Sequence, residues 1–386
     1  MLTCLSPNGT QRTSADSPID QVMVATVQGL HTLQRGASGA PWRVVASALQ
    51  DKHISALTLE PRSGRLYAGT HGNAGLWVSE DGGKQWRELA NGLTSKHIYT
   101  IEVQQRGDQT VLWVGTEPPK LFRSNDLGES FVELPTIRDV PDIDKWRFPP
   151  PPHIAHVKHI SFHPRQPETL YVCIEQGALL KSTDDGQSWI ELHGYEQPDM
   201  DIKFRHDAHR TAIAPSNPET IYFAAGEGLY VSHTGGEDWH QLQSRFDRIG
   251  YPDALFLDPR NERVIFLGGA GDAPEEWRET RNARAGVIRS TDGGLSWSEG
   301  RAGLPDPVRG NIEAMAHHHA GTYLGLLAGT ALGEVFLSED DGKSWTCIAA
   351  ELPPISKAGH YRWFLSEEER AAIVNKMWGW KDQVRA

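Results

Sequence analysis

The sequence is poor in the residues that build disulfide scaffolds and membrane spans. Its three cysteines, Cys4, Cys173 and Cys347, are too few and too scattered for a disulfide framework or a cysteine metal site. No apolar run approaches the length of a transmembrane helix, and the first residues lack a basic region followed by a long apolar core. These absences predict a cytoplasmic protein.

Positive charge is also scarce. The chain has 38 Lys and Arg against 50 Asp and Glu, a formal net charge of −12. An acidic surface repels both phosphate backbones and anionic lipids. The composition therefore predicts no nucleic acid and no membrane among the partners. A protein partner stays open.

Glycine, proline and tryptophan are plentiful, at 38, 24 and 13 residues, and five of the tryptophans belong to one octapeptide that recurs six times. Its copies lie roughly 45–58 residues apart, a spacing typical of repeat architectures. Each copy separates two alternating apolar runs, which predicts a β-hairpin with the octapeptide as its loop. Ser and Asp should accept loop N–H groups, Gly should supply positive φ angles, and Trp should pack the loop down. The copies begin at Ser79, Ser124, Ser182, Ser232, Ser290 and Ser338.

The octapeptide resembles the Asp-box, Ser-x-Asp-x-Gly-x-x-Trp, of the BNR-repeat β-propellers. Sialidases, xyloglucanase-type glycosidases, the sortilin ectodomain and photosystem II assembly factors carry this motif. Two copies depart from it, with Thr234 in place of Asp and Phe131 in place of Trp, so their hairpins are expected to be looser. In the family the box lies on the face away from the active site. The resemblance therefore implies a fold and little about chemistry.

A second recurring sequence pattern, an apolar strand that ends in proline, divides the chain into repeats. With the box it predicts an all-β, seven-bladed propeller of four-stranded blades over residues 1–365. Six blades cover 53–92, 97–135, 156–193, 207–243, 251–300 and 311–350. The remaining blade combines Val22–Leu33 with Trp42–Val45 around a degraded box at 35–41.

The two ends of the chain compete to complete that remaining blade. Thr3–Gly9 echoes the strand that ends in proline and is the favoured inner strand, and Tyr361–Leu365 is the rival. Ser366 and Glu369 form a capping box that predicts a helix over 370–378, within a helical tail spanning 366–386. Two insertions, 136–155 and 270–285, are expected to overhang one face.

Aligned repeats place polar side chains at the rim of the central funnel, opposite the boxes. Histidine recurs where inner strands begin, and glutamate recurs where the next strands end. Converging imidazoles favour a transition-metal ion, and adjacent carboxylates would fix their tautomers. The predicted ligands of one divalent Fe, Cu, Zn or Mn ion are His53, His97, His156 and His209, with His159 in reserve. Rim carboxylates predicted to be catalytic are Glu117, Glu175, Glu227 and Asp253.

These rim residues leave three classes of function open. A metal-dependent enzyme acting on a small molecule, by oxidative or hydrolytic chemistry, is the main hypothesis. A carbohydrate-active hydrolase could instead use the rim carboxylates in pairs. A protein-assembly scaffold would use neither, and its rim histidines would be ordinary surface residues. The tract His317–His319 is expected in a solvent-facing loop at the opposite end.

Overall fold

A computed structural model describes residues 2–9, 12–36, 41–148, 153–195 and 207–369. Seven β-sheets lie around a central channel, which confirms the seven-bladed propeller. The proline run 149–152, part of the degraded box and residues 370–378 of the predicted helix lie outside the described residues. Among the described residues, no helix combines the length and the apolarity needed to cross a lipid bilayer.

Each blade is a short sheet whose first strand lines the channel. Blade 1 comprises β1 Thr3–Leu5, β3 Gln21–Thr26, β4 Gly29–Gln34 and β5 Arg43–Ala48, and blade 2 comprises β6 His53–Leu59, β7 Leu66–His71, β8 Leu76–Ser79 and β9 Arg87–Leu89. Blade 3 comprises β10 Ile98–Arg106, β11 Gln109–Thr116, β12 Leu121–Ser124 and β13 Val132–Glu133. Blade 4 comprises β14 His156–Phe162, β15 Leu170–Glu175, β16 Ala178–Ser182 and β17 Ile190–Glu191.

Blades 5 to 7 follow the same order. Blade 5 comprises β18 Ala208–Ile213, β19 Ile221–Ala225, β20 Gly228–Ser232 and β21 His240–Ser244. Blade 6 comprises β22 Tyr251–Asp258, β23 Asn261–Ala270, β24 Gly286–Ser290 and β25 Ser298–Glu299. Blade 7 comprises β26 Ile312–Ala320, β27 Tyr323–Thr330, β28 Val335–Ser338 and β29 Thr346–Ala349. Apolar faces of adjacent blades form the core, as where Tyr67 and Leu76 pack with Ile98, Leu112 and Phe122.

The N-terminal segment completes the first blade, which confirms the favoured assignment. β1 pairs in parallel with β3, in the register Thr3↔Val22 to Leu5↔Val24, whereas the first two strands of blades 2 to 6 pair antiparallel. A further strand, β2 (Arg12–Ser14), pairs in parallel with β26. Blade 7 therefore has five strands instead of the predicted four. Residues 6–9, after β1, lie in the channel, where Asn8 N donates to Ser55 O at 3.2 Å.

The octapeptide loops have the expected hydrogen bonds. In the first copy, Ser79 Oγ accepts from Gly83 N at 2.8 Å, and Asp81 Oδ1 accepts from Gln85 N at 2.9 Å. Gly83 has φ of 91°, and Trp86 Nε1 donates to Gly83 O. The register places Ser79 beside the start of β7 and His53 beside its end. The boxes therefore lie at the opposite end of the blades from the predicted rim residues.

The two divergent boxes keep the same loop. Thr234 Oγ1 accepts from Asp238 N at 2.9 Å, where an Asp carboxylate accepts in the other copies, and Ser232 Oγ accepts from Gly236 N at 2.9 Å. Phe131 fills the Trp position and is 5 % exposed. The expected loosening is absent from the hydrogen bonds because a hydroxyl oxygen can replace the carboxylate as the acceptor.

Both insertions carry helical turns. The first contains two 3₁₀ turns, Pro135–Arg138 and Ile143–Lys145, followed by Trp146, which packs into the core of blade 4. The second contains an α-helix, α1 (Pro274–Thr280), whose Trp277 is fully buried. The sequence analysis did not predict α1.

Residues 353–365, termed the closing segment, run from blade 7 across the rim. Ile355 N donates to Thr330 O, and Val27 N donates to Pro354 O. The segment ends in a 3₁₀ turn, His360–Trp363, and Phe364 packs 5.7 Å from the Trp277 ring centroid. Ser366 and Glu369 form the predicted capping box, with Ser366 N donating to Glu369 Oε2 at 2.6 Å.

The prediction for the triple-histidine tract is wrong. His317 and His318 are 2 % and 0 % exposed and lie inside β26. β2 covers this strand on its channel side, an arrangement that the repeat pattern did not contain. The extra strand buries side chains that would otherwise face solvent.

Candidate functional site at the channel rim

Strand ends bring the predicted rim residues together at one end of the channel. In blade 4 the first residue of β14, His156, pairs in register with the last residue of β15, Glu175. The same pairing joins His53 to His71 in blade 2. The histidines at the starts of inner strands and the residues at the ends of the next strands therefore lie side by side in a single band at the rim.

A square of four charges lies at the centre of this band. Lys357 Nζ lies 2.8 Å from both Glu175 Oε1 and Asp253 Oδ1. Lys158 Nζ bridges the same two oxygens at 3.2 Å and 2.7 Å. All four side chains are at most 2 % exposed. Two carboxylates and two ammonium groups thus compensate one another away from water.

The square fixes the ionisation of its members. Burial alone would raise the pKa values of Glu175 and Asp253, but Lys158 and Lys357 outweigh it and hold both below the usual range. Burial alone would lower the pKa of Lys357, yet Asp253 and Glu175 raise it well above its usual value. Both carboxylates therefore stay ionised and are covered by the closing segment. As placed, neither can act as a general acid that a substrate reaches.

A chain of imidazoles and one carboxylate leads from the square toward solvent. His156 Nε2 lies 2.6 Å from Glu175 Oε2, and its Nδ1 lies 3.2 Å from Glu117 Oε2. Glu117 Oε1 lies 3.3 Å from His97 Nδ1, and His97 Nε2 lies 2.5 Å from His71 Nδ1. The Glu117 side chain is 13 % exposed, whereas Glu175 is fully buried. Of the two carboxylates that contact His156, Glu117 therefore lies nearer the solvent than Glu175.

The imidazoles differ in the protonation state that their surroundings favour. Burial opposes the charge on His156, but its contacts with Glu117 and Glu175 raise its pKa. Burial lowers the pKa of His53 to about 4, and burial with the neighbouring histidines lowers that of His71 to about 2. Burial also lowers the pKa of His97. The surroundings thus favour the charged form of His156 and the neutral forms of His53, His71 and His97.

His209 lies on the far side of the square, in a different arrangement. Its Nδ1 lies 2.6 Å from Pro252 O, so this nitrogen carries a proton. Its Nε2 lies 3.1 Å from Asp207 Oδ1 and 3.9 Å from Glu175 Oε1. Asp207 Oδ2 accepts from the Tyr251 hydroxyl at 3.0 Å. Within the described residues, Glu175, Asp207 and His209 are the only three His, Cys, Asp or Glu side chains whose potential ligand atoms all lie within 4.8 Å of one another.

The four histidines predicted as ligands of one ion do not meet at one point. His53 Nε2 donates to Ser356 O at 2.7 Å, His97 turns toward His71, and His156 bridges two glutamates. His209 stands apart in its own group. The physical reason is that inner strands start around a ring, so equivalent side chains point toward different neighbours. A bound metal therefore stays a prediction.

The other predicted residues occupy separate environments. Glu227 lies 3.4 Å from Arg245 Nη1 and is 10 % exposed. His159 lies nearer the other end of the channel, where its Nε2 donates to Thr211 O at 3.1 Å. That end widens into a cavity of about 820 Å³, with His159, Arg210, Phe256 and His317 among its lining residues.

Sequence reasoning missed the two lysines of the square. Lys158 follows His156 by two residues in β14, so strand alternation alone could have placed it facing the channel. Lys357 had no comparable signal, because it belongs to no repeat and reaches the axis only through the closing segment. Two further rim residues, Asn311 and Glu313, lie just before and just inside the start of β26. They support the square, since Asn311 Nδ2 donates to Asp253 Oδ2 and Lys357 N donates to Glu313 Oε2.

Sequence comparisons relate part of the chain to xyloglucanases. No protein-family model matches it. The xyloglucanase Xgh74A of Acetivibrio thermocellus is 22 % identical over 229 residues, 53 % of this chain. A probable oligoxyloglucan-reducing end-specific xyloglucanase of Neosartorya fischeri is 22 % identical over 204 residues, 51 % of this chain. The chain spans only about a quarter of these relatives, 26 % and 24 % of their lengths.

Structural comparisons agree on the propeller fold. An ancestral GH74 enzyme matches with a TM-score of 0.57 and 17 % identity, over 76 % of this chain and 38 % of that one. YCF48 from Cyanidioschyzon merolae matches with a TM-score of 0.55 and 12 % identity, over 87 % of this chain and 94 % of that one. YCF48 bound to D1 peptide gives a TM-score of 0.53 at 13 % identity, over 87 % and 92 % of the two chains. At these identities the likeness establishes the fold alone.

Proposed function

We propose that this chain is a hydrolase that acts on a carbohydrate or a similarly polar small molecule at the channel rim. The observation that carries the proposal is the position of Glu117. Each of its carboxylate oxygens faces one imidazole, His97 at 3.3 Å and His156 at 3.2 Å, and the side chain is 13 % exposed. No other predicted catalytic carboxylate combines access to solvent with contacts from two histidines among the described residues.

Glycoside hydrolysis usually uses two carboxyl groups, one that protonates the leaving group and one that acts as a base or attacks the sugar ring. Glu175 and Asp253 are unsuited because their lysine partners keep them ionised and covered. Glu227 is 10 % exposed and is paired with Arg245. We therefore assign the carboxylate that acts at the sugar ring to Glu117. His97 and His156 are positioning residues, because each fixes one oxygen of the carboxylate.

The sequence relatives support a carbohydrate as the substrate class. Two of them are xyloglucanases, although this chain spans about a quarter of their lengths. Xyloglucan oligosaccharides are therefore the first substrates to test, followed by chromogenic aryl glycosides that cover the common sugars.

The deciding experiment compares Glu117→Gln with the wild type on this substrate panel. The change keeps the size and removes the proton-accepting oxygen, so kcat should fall about 10²–10⁴-fold. Glu237→Gln, in an exposed box loop, is the matched control and should keep full activity. Wild-type protein inactive on the whole panel, or a Glu117→Gln variant with unchanged kcat, would remove the proposal.

A binding scaffold without catalysis is the second candidate. It is favoured by the charge square, which joins Glu175 and Asp253 to Lys357 of the closing segment and leaves little of the axis open. One of the matched YCF48 structures contains a bound peptide, and this chain covers 92 % of that single propeller. The scaffold is the preferred explanation if the folded wild type hydrolyses nothing on the panel.

A further inference from the structure

The group around His209 carries an inference that goes beyond the proposed hydrolase and does not depend on it. Asp207 and His209 flank the start of β18 and are 1 % and 0 % exposed. Two of their polar atoms, Asp207 Oδ1 and His209 Nε2, are buried without a hydrogen bond of acceptable geometry. Buried polar atoms in this state are rare and call for an explanation.

The tautomer of His209 defines what can lie beside it. A carbonyl oxygen can only accept, so the contact with Pro252 O puts a proton on Nδ1. The neutral ring then presents the lone pair of Nε2 to Asp207 Oδ1 at 3.1 Å and to Glu175 Oε1 at 3.9 Å. A lone pair facing two carboxylate oxygens is repulsive unless a cation lies between them.

The surrounding contacts resemble those that orient metal ligands. Ligating histidines donate their second ring N–H to a carbonyl or carboxylate, as His209 does to Pro252 O. Ligating carboxylates are held through their other oxygen, as Asp207 is by the Tyr251 hydroxyl at 3.0 Å. Both supporting groups come from β22 in the next blade. The two side chains are therefore held in place before any ion binds.

The local charge balance also favours a cation. Among the described residues, the carboxylates of Glu175, Asp207 and Asp253 share this place with only two ammonium groups, those of Lys158 and Lys357. Glu175 Oε1 already accepts from both lysines, so it is the weakest of the three potential ligands.

We propose that Asp207 Oδ1 and His209 Nε2, supported by Glu175 Oε1, bind one divalent transition-metal ion. One imidazole with carboxylate oxygens suits Zn²⁺, Mn²⁺ or Fe²⁺. The three ligand atoms lie within 4.8 Å of one another, which one ion can bridge after small side-chain rotations. A competing explanation is a proton on Nε2, which would make His209 an imidazolium ion paired with Asp207.

The test uses the full-length protein, treated with a chelator and titrated with ZnCl₂ and with MnCl₂. Isothermal calorimetry and mass-spectrometric metal analysis report binding, and the melting temperature reports stabilisation. The wild type should bind about one ion per chain and melt at a higher temperature with the ion than without it. Asp207→Asn and His209→Gln should each abolish both effects.

The chain offers a matched control for these variants. Asp238 and His240 have the same Asp-x-His spacing but are exposed. Asp238→Asn and His240→Gln should therefore bind the ion as the wild type does. Tyr251→Phe removes only the hydroxyl behind Asp207 and should weaken binding by about 10–100-fold. This milder variant keeps the test informative if Asp207→Asn fails to fold.

Two results would overturn the inference. The first is a wild type that binds neither ion and melts at the same temperature with and without them, which would assign the cation between His209 and Asp207 to a proton. The second is an ion whose affinity Asp207→Asn and Tyr251→Phe leave unchanged, which would place it elsewhere. Both readouts are independent of hydrolysis, so an inactive protein that binds the ion would contradict only the proposed function.

Discussion

Replacing Lys357 with methionine is predicted to destabilise the protein by about 3–5 kcal/mol. The ammonium group lies 2.8 Å from Glu175 Oε1 and 2.8 Å from Asp253 Oδ1, and the side chain is 1 % exposed. Methionine keeps most of the volume but leaves two buried carboxylates to share Lys158. Removing one partner of a buried pair costs more than the pair itself contributes, because the remaining charge stays uncompensated.

The effect is large enough to measure by two methods. An unfolding entropy of about 2.1 cal/mol/K per residue gives about 0.8 kcal/mol/K for this chain. Dividing the loss of free energy by this entropy predicts that the melting temperature falls by about 4–6 °C. Urea unfolding followed by tryptophan fluorescence should give the free energy directly. Lys145→Met is the control, since Lys145 forms an ion pair with Asp142 but its side chain is 59 % exposed. That change should stay within about 0.5 kcal/mol.

A compensating variant separates charge from packing. If the uncompensated carboxylate causes the loss, Asp253→Asn combined with Lys357→Met should be more stable than the sum of the two single changes implies. A loss below about 1 kcal/mol for Lys357→Met, or strictly additive effects, would refute the argument that the square depends on its charge balance.

Two further predictions concern the box loops and the response to acid. Ser338→Ala should lower the free energy of urea unfolding by about 1–2 kcal/mol. The reason is that Ser338 Oγ accepts from Gly342 N at 2.9 Å and donates to Asp340 Oδ1 at 2.8 Å. An unchanged urea midpoint would mean that the loop does not depend on its serine. Burial lowers the pKa of His317 from 6.5 to about 3, so only the unfolded chain takes up this proton between those values. The stability due to neutral His317 is present above pH 6.5 and falls as the pH drops toward 3, by at most about 1.4 kcal/mol per pH unit. His317→Gln lacks this titrating group, so its urea midpoint should fall less than that of the wild type between about pH 7 and pH 4.5.

The repeat fold could be read from the sequence because its signals are local. Each octapeptide contains the serine, the carboxylate or hydroxyl, the glycine and the ring that its own loop needs, within eight residues. The flanking strands pair with their sequence neighbours, so spacing alone gives their order. Even the completion of blade 1 followed from the resemblance of Thr3–Gly9 to the other inner strands.

Departures from the repeat could not be read in this way. β2 joins blade 7 across a sequence separation of about three hundred residues, and it buries His317 and His318, which the sequence placed in solvent. The helix α1 and the closing segment likewise lie outside the repeating unit. Their positions depend on burying single large side chains such as Trp277, which carry no periodic signal.

The rim shows the same division. Repeat alignment determined which side chains reach the rim, because strand ends are equivalent from blade to blade. It could not determine which of them touch, since contacts across a ring depend on side-chain direction and on segments that belong to no blade. Only the tertiary structure joined Lys357 to Glu175 and Asp253, set Glu117 between two histidines, and separated His209 from the other three histidines. Local sequence thus fixed the scaffold, whereas long-range packing decided the chemistry of its centre.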